Sequence, residues 1–385
     1  MTTTIKNEHK KLNVPNIRFP EFSGEWEEST IGEMFDLYSG NTPSRLNKEH
    51  FKGTVNWISS GELKEHYIYS SKEQISEEAA KSLKLLPVGT FVIAIYGLEA
   101  EGVRGTGSIT QEPSTISQAC MSFIPKGVIE NEFLYSWYKK HGNVIGIRYA
   151  QGTKQQNLSY DILEGFKIAY PCTKEQKKLN KFITFLDERI ATQNKIIDKL
   201  QTLIKGLRND VFGKLRKSVG FNAMISDVLS YEQPQSYIVE DTEYTNEGTP
   251  VLTANKAFVL GYTSEIDGIY DKGDCILFDD FTLDCKYVDF PFKVKSSAIK
   301  ILTAENKELL RYTFEFLKYL DLSTDEHKRH YITETQNLGF ILPTKQIVRT
   351  ISHVFFALSL QMETIVKQKN ALEKQKQYLL RQMFI

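Results

Sequence analysis

The stretch that decides the fold is TKEQKKLNKFITFLDERIATQNKIIDKLQTLIKGLRNDVFGKLRK, residues 173–217. It contains no proline and begins just after Pro171, where the chain can turn into a helix. Its apolar positions recur at steps of four and three without a break, and such a 3.5-residue period predicts a coiled-coil seam. At about 1.5 Å per residue, the seam predicts a helix on the order of 50 Å long. The seam positions are Leu179, Ile183, Leu186, Ile190, Gln193, Ile197, Leu200, Ile204, Leu207 and Val211.

The same pattern returns in residues 345–385. The two seams are offset by a constant 172 residues, and this offset also maps Pro171 onto Pro343 and Phe212 onto Phe384. We therefore predict a tandem duplication, in which a globular unit followed by a long helix occurs twice. The second seam consists of Ile351, Phe355, Leu358, Met362, Ile365, Lys369, Leu372, Lys376, Leu379 and Met383. Its two lysines, with Gln193 of the first seam, are polar seam residues that can fix register and partner choice.

Shorter matches put the two globular units on one plan. IGEM (31–34) is similar to ISDV (225–228), and LLPVGTFVIAI (85–95) is similar to IYDKGDCILFDD (269–280) as a glycine-led turn into an apolar strand. Short runs of β-branched and aromatic residues predict strands, with one amphipathic helix per unit before the last strand. The predicted fold is α+β. Two tandem domains with mixed curved β-sheets and short helices are each followed by a long helix, and the two helices pair as an intramolecular antiparallel coiled coil.

The charges divide along the same boundaries. The chain has 48 Lys and Arg against 48 Asp and Glu, so its net charge is zero. The predicted parts are a tail (1–20), a first domain (21–173), a central helix (174–217), a second domain (218–344) and a C-terminal helix (345–385). Residues 1–173 carry −2 and the central helix +7, whereas the second domain carries −10 and the last helix +5. The neutral total therefore says little about whether any one part binds nucleic acid.

Composition and motifs exclude several classes of protein. With 385 residues, 25% of them charged, the chain is typical of a globular protein of two or three domains. The start lacks the apolar region of a signal peptide, and no apolar run approaches a membrane span. Four scattered cysteines (Cys120, Cys172, Cys275, Cys285) predict buried thiols in the cytoplasm. There is no GxxxxGK[ST] or HExxH motif, and the histidines lack metal-ligand spacing, so we expect neither catalysis nor a metal site.

An ordered set of local sequences resembles the specificity (S) subunits of type I restriction-modification enzymes. VPNIRFPEFSGEWEE (14–28) is similar to their opening segment, and YSGNTPS (38–44) and WISSGELKE (57–65) are similar to parts of their target-recognition domains. YAQGTKQQNLSYDILEGFKIAYP (149–171) is similar to the last loop, helix and strand of such a domain, and TKEQKKLNKFITFLDERI (173–190) to the helix start.

The second copy departs from this pattern. PTKQIVRTISHVFFAL (343–358) keeps the proline but lacks the Glu-Gln and Leu-Asp pairs of the first helix start. The contacts of the second helix with partner subunits are therefore harder to predict than those of the first.

The resemblance implies a non-catalytic subunit that reads a bipartite double-stranded DNA target, one domain per half-site. It also implies two methyltransferase (M) subunits, which methylate an adenine in each half-site, and motor-nuclease (R) subunits, in a bacterial defence system of the cytoplasm. AdoMet, ATP and Mg²⁺ would then belong to these partners. Because DNA affinity depends on phosphate neutralisation, the acidic second domain predicts weak binding by the lone chain, with positive charge supplied by partners.

We expect the base-reading residues in polar loops at strand ends, because Arg and Lys pair with guanine and Asn and Gln with adenine. The Lys-Gln-Gln-Asn run leads, since it offers four long polar side chains in one loop. The candidates of the first domain are Asn41, Thr42, Arg45, Ser59, Ser60, Lys154, Gln155, Gln156 and Asn157. Those of the second domain are Thr253, Asn255, Lys256, Lys286, Lys328, Arg329, His330 and Tyr331.

Other functions stay open at this point. The seams could pair between chains, which would make the protein a coiled-coil oligomerising interaction module. Glu62 and Lys64 have the Glu-x-Lys spacing of some metal-dependent nucleases. The chain could also be a recognition subunit or domain of a fused restriction enzyme, where it would again be non-catalytic.

Overall fold

The computed structural model describes residues 12–100, 102–152, 154–254, 258–324 and 328–385. The chain divides into two compact units. Unit 1 comprises Met1–Thr192 and Gln368–Ile385, and unit 2 comprises Gln193–Lys367. None of the described helices is both long and apolar enough to cross a membrane.

The β structure of unit 1 is divided among three sheets. The strands are β1 (Glu27–Thr30), β2 (Phe35–Ser39), β3 (Val55–Ile58), β4 (Tyr67–Ile68), β5 (Gln74–Ile75), β6 (Phe91–Ala94), β7 (Gly107–Thr110), β8 (Ser114–Ile116), β9 (Cys120–Pro125) and β10 (Lys167–Tyr170). The short helices are α1 (Ile31–Met34), α2 (Glu77–Ala80), α3 (Asn131–Tyr149) and α4 (Tyr160–Glu164). The sheet orders are β1-β10, β2-β9-β6-β7-β4 and β5-β3-β8, with parallel pairs at β4–β7 and β3–β8. The sheets are therefore mixed.

The core of unit 1 lies between the central strand β6 and helix α3. Every residue of β6 is buried, as its uninterrupted apolar sequence requires. The Phe91 ring stacks on Phe123 of β9 at 5.5 Å and meets Tyr135 and Tyr138 of α3 edge-on. Aromatic pairs of this kind add to the stabilisation from burial alone.

Helix α5 (Thr173–Ser218) leads into unit 2, whose β structure is also divided among three sheets. The strands are β11 (Ala223–Met224), β12 (Ser230–Glu232), β13 (Thr249–Leu252), β14 (Val259–Thr263), β15 (Cys275–Asp279), β16 (Cys285–Val288), β17 (Lys293–Val294), β18 (Ile299–Thr303) and β19 (Gly339–Phe340). The helices are α6 (Ile225–Val228), α7 (Lys307–Leu320) and α8 (Lys345–Met383). The sheet orders are β11-β19, β12-β18-β15-β16 and β14-β13-β17.

The duplication is visible in local detail. In each unit the first strand pairs with the last, β1 with β10 and β11 with β19, and a four-residue helix follows the first strand. At the start of that helix Glu33 accepts a hydrogen bond from the backbone of Thr30 (2.9 Å), and Asp227 accepts one from Met224 (2.8 Å). Strands β6 and β15 each follow a glycine with positive φ, Gly89 at +82° and Gly273 at +102°. The weak sequence matches therefore mark equivalent structural positions.

The two long helices run antiparallel. In unit 1, Leu179 and Ile183 near the start of α5 belong to the same hydrophobic core as Met383 at the end of α8. In unit 2, Phe212 near the end of α5 shares a core with Val348 at the start of α8. Every predicted seam position is buried or half-buried. The predicted α+β fold with an intramolecular antiparallel helix pair is thereby confirmed.

Candidate nucleic-acid interface

Backbone hydrogen bonds bring most of the predicted loops of unit 1 to one edge. We call this the unit 1 reading edge and define it as residues 40–42, 58–60, 95–99, 117–119 and 154–158. The links are Asn41 N to Ile116 O (3.1 Å), Ser117 N to Ile58 O (2.9 Å), Ile95 N to Ala119 O (2.9 Å) and Leu158 N to Ile95 O (2.9 Å). Because the strands determine these contacts, the loops are held in one arrangement before any ligand binds.

The Lys-Gln-Gln-Asn loop is held at this edge by its backbone. Gln156 donates its amide to the Glu99 carboxylate (2.8 Å) and accepts from the amide of Leu98 (3.0 Å). The amide of Gln156 thereby lowers the pKa of Glu99. Lys154 and Gln155 are exposed, whereas Asn157 is half-buried and its Oδ1 lacks a hydrogen-bond partner among the described residues. The loop thus combines a constrained backbone with side chains open to solvent.

Ser59 and Ser60 lie in a turn organised by Glu62. The Glu62 carboxylate accepts hydrogen bonds from Ser59 N (2.9 Å), Ser59 Oγ (2.6 Å) and the amide of Lys72 (2.5 Å). Within the described ranges no cluster of acidic, His or Cys side chains could hold a metal ion. The Glu62 carboxylate therefore holds the turn that contains Ser59 and Ser60.

Arg45 and Asn41 make contacts within unit 1. The Arg45 guanidinium forms a two-pronged pair with Glu73 (2.7 Å each) and lies 4.4 Å above the Phe51 ring. Asn41 accepts from its neighbour Thr42 through Oδ1 (2.8 Å). Arg45 would have to leave its carboxylate to reach a base, whereas Asn41 and Thr42 remain at the reading edge.

Two of the base-reading candidates of unit 2, His330 and Tyr331, are buried in its interior. His330 is 2% exposed and Tyr331 1%. Both donate their backbone amides to Asp280, at 3.0 Å and 2.7 Å, and the Tyr331 ring packs against Phe278. We expected these residues in a polar loop before the last strand, but their amides bond the carboxylate of Asp280, directly after β15, and their side chains are buried. In the structure these two side chains are therefore not available to a base.

The other candidates of unit 2 are mostly paired. Thr253 is buried, and its backbone amide donates a hydrogen bond to the carbonyl oxygen of Phe258 (3.0 Å). Lys286 lies 3.4 Å from Asp284 and Lys328 lies 2.8 Å from Glu334. Arg329 donates to Ser297 Oγ (3.3 Å), while Asn255 and Lys256 lie outside the described residues.

Many lysines of unit 2 are neutralised by carboxylates of the same unit. These pairs hold the unit together and reduce the positive charge that it can offer to phosphate. Besides the two already named, these pairs include Lys272–Glu232, Lys293–Glu265, Lys300–Asp280, Lys307–Asp274 and Lys318–Asp284.

Sequence reasoning missed part of the unit 1 reading edge. Gln118 is an exposed amide between β8 and β9, and Tyr96 and Glu99 lie beside the Lys-Gln-Gln-Asn loop. Gly97, which has φ +77°, marks the turn that brings Glu99 there. Gly97, three residues after the buried strand β6, was the available signal in the sequence.

Comparisons with known proteins agree with the resemblance found in the sequence. Residues 23–202 match the family profile described as the type I restriction modification DNA specificity domain. The chain is 43% identical over 126 residues to the specificity subunit of the type I restriction enzyme EcoR124I/EcoR124II of Escherichia coli, which covers 31% of each chain. It is 29% identical over 185 residues to the MjaIX specificity subunit of Methanocaldococcus jannaschii, covering 46% of this chain and 42% of that one. The matched stretches thus span less than half of these relatives.

Solved structures extend the likeness of fold to nearly the whole chain. The crystal structure of a type I restriction-modification S subunit from M. genitalium superposes with a TM-score of 0.63 at 16% identity, covering 97% of this chain and 99% of that one. A chain from a study of complex assembly and conformational transition of the type I R-M system gives a TM-score of 0.51 at 12% identity, covering 92% and 96%. These comparisons show that residues 23–202 match the type I restriction modification DNA specificity domain and that the chain has the fold of these solved type I restriction-modification structures.

Proposed function

We propose that this chain is the non-catalytic DNA sequence-specificity subunit of a type I restriction-modification complex, and that each unit reads one half of a bipartite double-stranded DNA target. The observation that carries the proposal is the duplication. Both units have the same plan, and each contains one end of both long helices. Two domains with the same architecture, joined to one helix pair, are suited to a target of two half-sites separated by base pairs that are not recognised.

The proposed division of labour follows the predicted boundaries. Residues 21–173 and 218–344 are the recognition domains, 174–217 and 345–385 are the spacer helices, and 1–20 form a tail. In the first domain Lys154 and Gln155 lead the base-reading candidates, since they are exposed on a constrained loop. In the second domain the candidates are Lys286, Lys328 and Arg329, whose present partners are side chains that DNA could replace.

The proposed partners are two M subunits and the R subunits, which would carry AdoMet, ATP and Mg²⁺. On α8, Phe356 and Leu360 are 50% and 54% exposed outside the seam, and we infer that an M subunit covers them. Because many lysines of unit 2 are paired internally, we also infer that the M subunits supply much of the positive charge that DNA requires. Filter binding at two salt concentrations tests this. The M-containing complex should bind its target tightly and the lone chain weakly, whereas tight, site-specific binding by the lone chain would contradict it.

Methylome sequencing of cells that carry this chain with its M subunits tests the main proposal. The expected result is methylated adenines in two short half-sites at a constant spacing. A target with a single half-site, or with no unread spacer, would contradict the two-reader proposal.

Point variants connect the target to unit 1. Replacing Lys154 and Gln155 by alanine should relax one half-site and leave the other unchanged, because each unit reads its own half. Lys81→Ala is the matched control, since this lysine is also exposed but lies outside the reading edge. A change in both half-sites, or in neither, would argue against these residues as readers.

The oligomerising interaction module finds less support. The ends of both seams pack into the cores of the two units, which is pairing within one chain. Light scattering on the isolated chain should therefore give a monomer, and a dimer would revive this alternative.

A further inference from the structure

Four charged side chains connect the recognition domain of unit 1 to both long helices. His66 Nε2 lies 2.8 Å from a carboxylate oxygen of Glu132 on α3, and His66 Nδ1 lies 3.1 Å from Asp187 on α5. The other oxygen of Asp187 accepts a hydrogen bond from Lys376 on α8. His66 and Lys376 are both buried. We call this set the Glu132–His66–Asp187–Lys376 chain.

The surroundings of the His66 ring favour its charged form. Carboxylates face both ring nitrogens, and a neutral imidazole carries only one N–H to direct at them. The ring also lies between two parallel aromatic rings, Tyr67 at 4.1 Å and Tyr135 at 4.0 Å. It is therefore held in one orientation, with a position for a proton on each side.

The segment that precedes His66 is part of the unit 1 reading edge. Residues 57–65 contain Ser59 and Ser60, and Ile58 O at their start accepts from the amide of Ser117 (2.9 Å). At the other end Glu65 O accepts from Ser108 Oγ (2.6 Å), and the next side chain is that of His66. The position of His66 consequently determines where this segment ends.

We propose that the Glu132–His66–Asp187–Lys376 chain is a clamp that positions reading segment 57–65 on the helix pair, with His66 as the positioning residue. The inference rests on the proposed DNA-reading function. It adds that accurate reading of one half-site depends on the proton held by His66.

Unit 2 joins its domain to a long helix through a different ion pair. Its helix α7 is joined to α5 by Arg208 and Glu315, with nitrogen–oxygen distances of 2.7 Å and 2.9 Å. A guanidinium keeps its charge throughout the pH range in which proteins remain folded. Raising the pH should therefore loosen the clamp of unit 1 without affecting the link of unit 2.

The direction of the pH effect follows from the contacts. Burial works against the charge on His66, but its contacts with the Asp187 and Glu132 carboxylates outweigh it, so its pKa is raised. Because the pKa of His66 is raised, the clamp is fully formed when the pH lies below the ordinary pKa of histidine. It is lost as the pH rises through the raised pKa of His66. Burial also opposes the charge of Asp187, yet His66 and Lys376 lower its pKa, so the carboxylate stays charged in this window.

Other titratable groups face the clamp and must be separated from it. They are Glu65 on its own segment, Glu188 on α5, and Tyr67 and Tyr135 on either side of the ring. Lys139 on α3 matters most, because burial and the neighbouring Lys376 lower its pKa to about 8. Its deprotonation relieves a buried charge, so its effect on stability runs opposite to that of His66, and Lys139→Met removes it.

The test uses the complex of this chain with its M subunits. Binding is measured by fluorescence anisotropy between about pH 6 and pH 9, on duplexes with both half-sites or with either one scrambled. For one half-site, discrimination should fall by about tenfold across this range, while for the other it should stay constant. The sensitive half-site should be the one relaxed by the Lys154 and Gln155 substitutions.

Variants separate the clamp from a merely structural role. His66→Gln should show low discrimination at that half-site at every pH, with an unchanged profile at the other. Asp187→Asn removes one carboxylate, so the loss of discrimination should move to lower pH. His353→Gln on the exposed surface of α8 is the matched control, and thermal melts at neutral pH verify that each variant is folded.

The outcomes are distinct. Equal pH dependence at both half-sites, or none at either, would overturn the clamp while leaving the two-reader proposal intact. A Lys139→Met chain that loses the pH dependence would also overturn it, since the effect would then belong to the lysine. If scrambling either half-site changes nothing at any pH, the proposed function itself fails.

Discussion

Phe212→Ala should destabilise unit 2, although Phe212 belongs to the helix that follows the first domain. Its side chain is completely buried, and its ring lies 5.3–5.5 Å from those of Tyr312, Phe316 and Tyr319. Removing a buried phenylalanine from a packed core costs about 3–5 kcal/mol, from lost transfer free energy and from the cavity left behind. At about 2–4 °C per kcal/mol for a unit of this size, the melting temperature of unit 2 should fall by about 6–20 °C.

Hydrogen–deuterium exchange read by mass spectrometry locates the effect. Phe212→Ala should raise exchange in α7 and β15, and Phe384→Ala should raise it in unit 1, where the Phe384 ring lies 5.2 Å from Phe133. Phe185→Ala is the matched control, because this side chain on α5 is 55% exposed and its loss should cost less than about 0.5 kcal/mol. Increased exchange in β6 and α3 after Phe212→Ala would refute the reasoning, because the end of α5 would then be stabilising the wrong unit.

Three further predictions concern buried or bonded charges. Lys376→Met should cost about 1–3 kcal/mol in urea unfolding, since the half-buried Asp187 carboxylate loses its hydrogen bond from the lysine and keeps only His66 as a cationic neighbour, and adding Asp187→Leu should recover part of that loss. No recovery would mean that desolvation is not the cause. Arg208→Met removes the cation that is paired with the buried Glu315, whose pKa burial already raises. The free energy of unfolding of this variant, measured in urea, should therefore increase as the pH is lowered from neutral and Glu315 takes up a proton. A variant whose stability decreases on acidification would contradict this. Glu62→Ala should leave the purified chain without metal-dependent DNA cleavage, like the wild type, and should speed amide exchange in the turn at Ser59 and at Lys72, whereas unchanged exchange would show that Glu62 does not hold the turn.

The long helices could be predicted from the sequence because their signal is local and repeated. A seam residue such as Ile183 or Phe355 is apolar whatever domain its helix contacts, so periodicity alone identifies the buried face. The constant offset between the two seams predicted the duplication, whereas their pairing within one chain became clear only from the cores that the helix ends share. The glycine-led turns before β6 and β15 were recognisable for the same reason, since a positive φ favours glycine.

The candidate site was predicted less well, because its geometry depends on contacts between distant residues. The burial of Tyr331 depends on Asp280, which lies 51 positions earlier and accepts its amide. Nothing in the local pattern around a charged loop reveals such an acceptor. Likewise, a strand pattern identifies β2 or β9 but not its partner, so the division of each unit into three sheets could not be derived.

The charges between the helices and the domains explain why the helix ends pair as they do. Lys139 and Glu315 lie at the same distance from the N-caps of α3 and α7, Glu130 and Asn306. The 172-residue offset places Leu380 of α8 at the position of Arg208 on α5.

If the two helix ends exchanged domains, the apolar anchors would still fit, because Phe212 and Phe384 occupy equivalent positions. Glu315 would then lose the Arg208 guanidinium that bonds it now, and a leucine at the equivalent position of α8 could not replace that hydrogen bond. Removing one partner of a buried ion pair costs about 3–5 kcal/mol. The apolar seams therefore allow both pairings, and the Arg208–Glu315 pair favours the observed one.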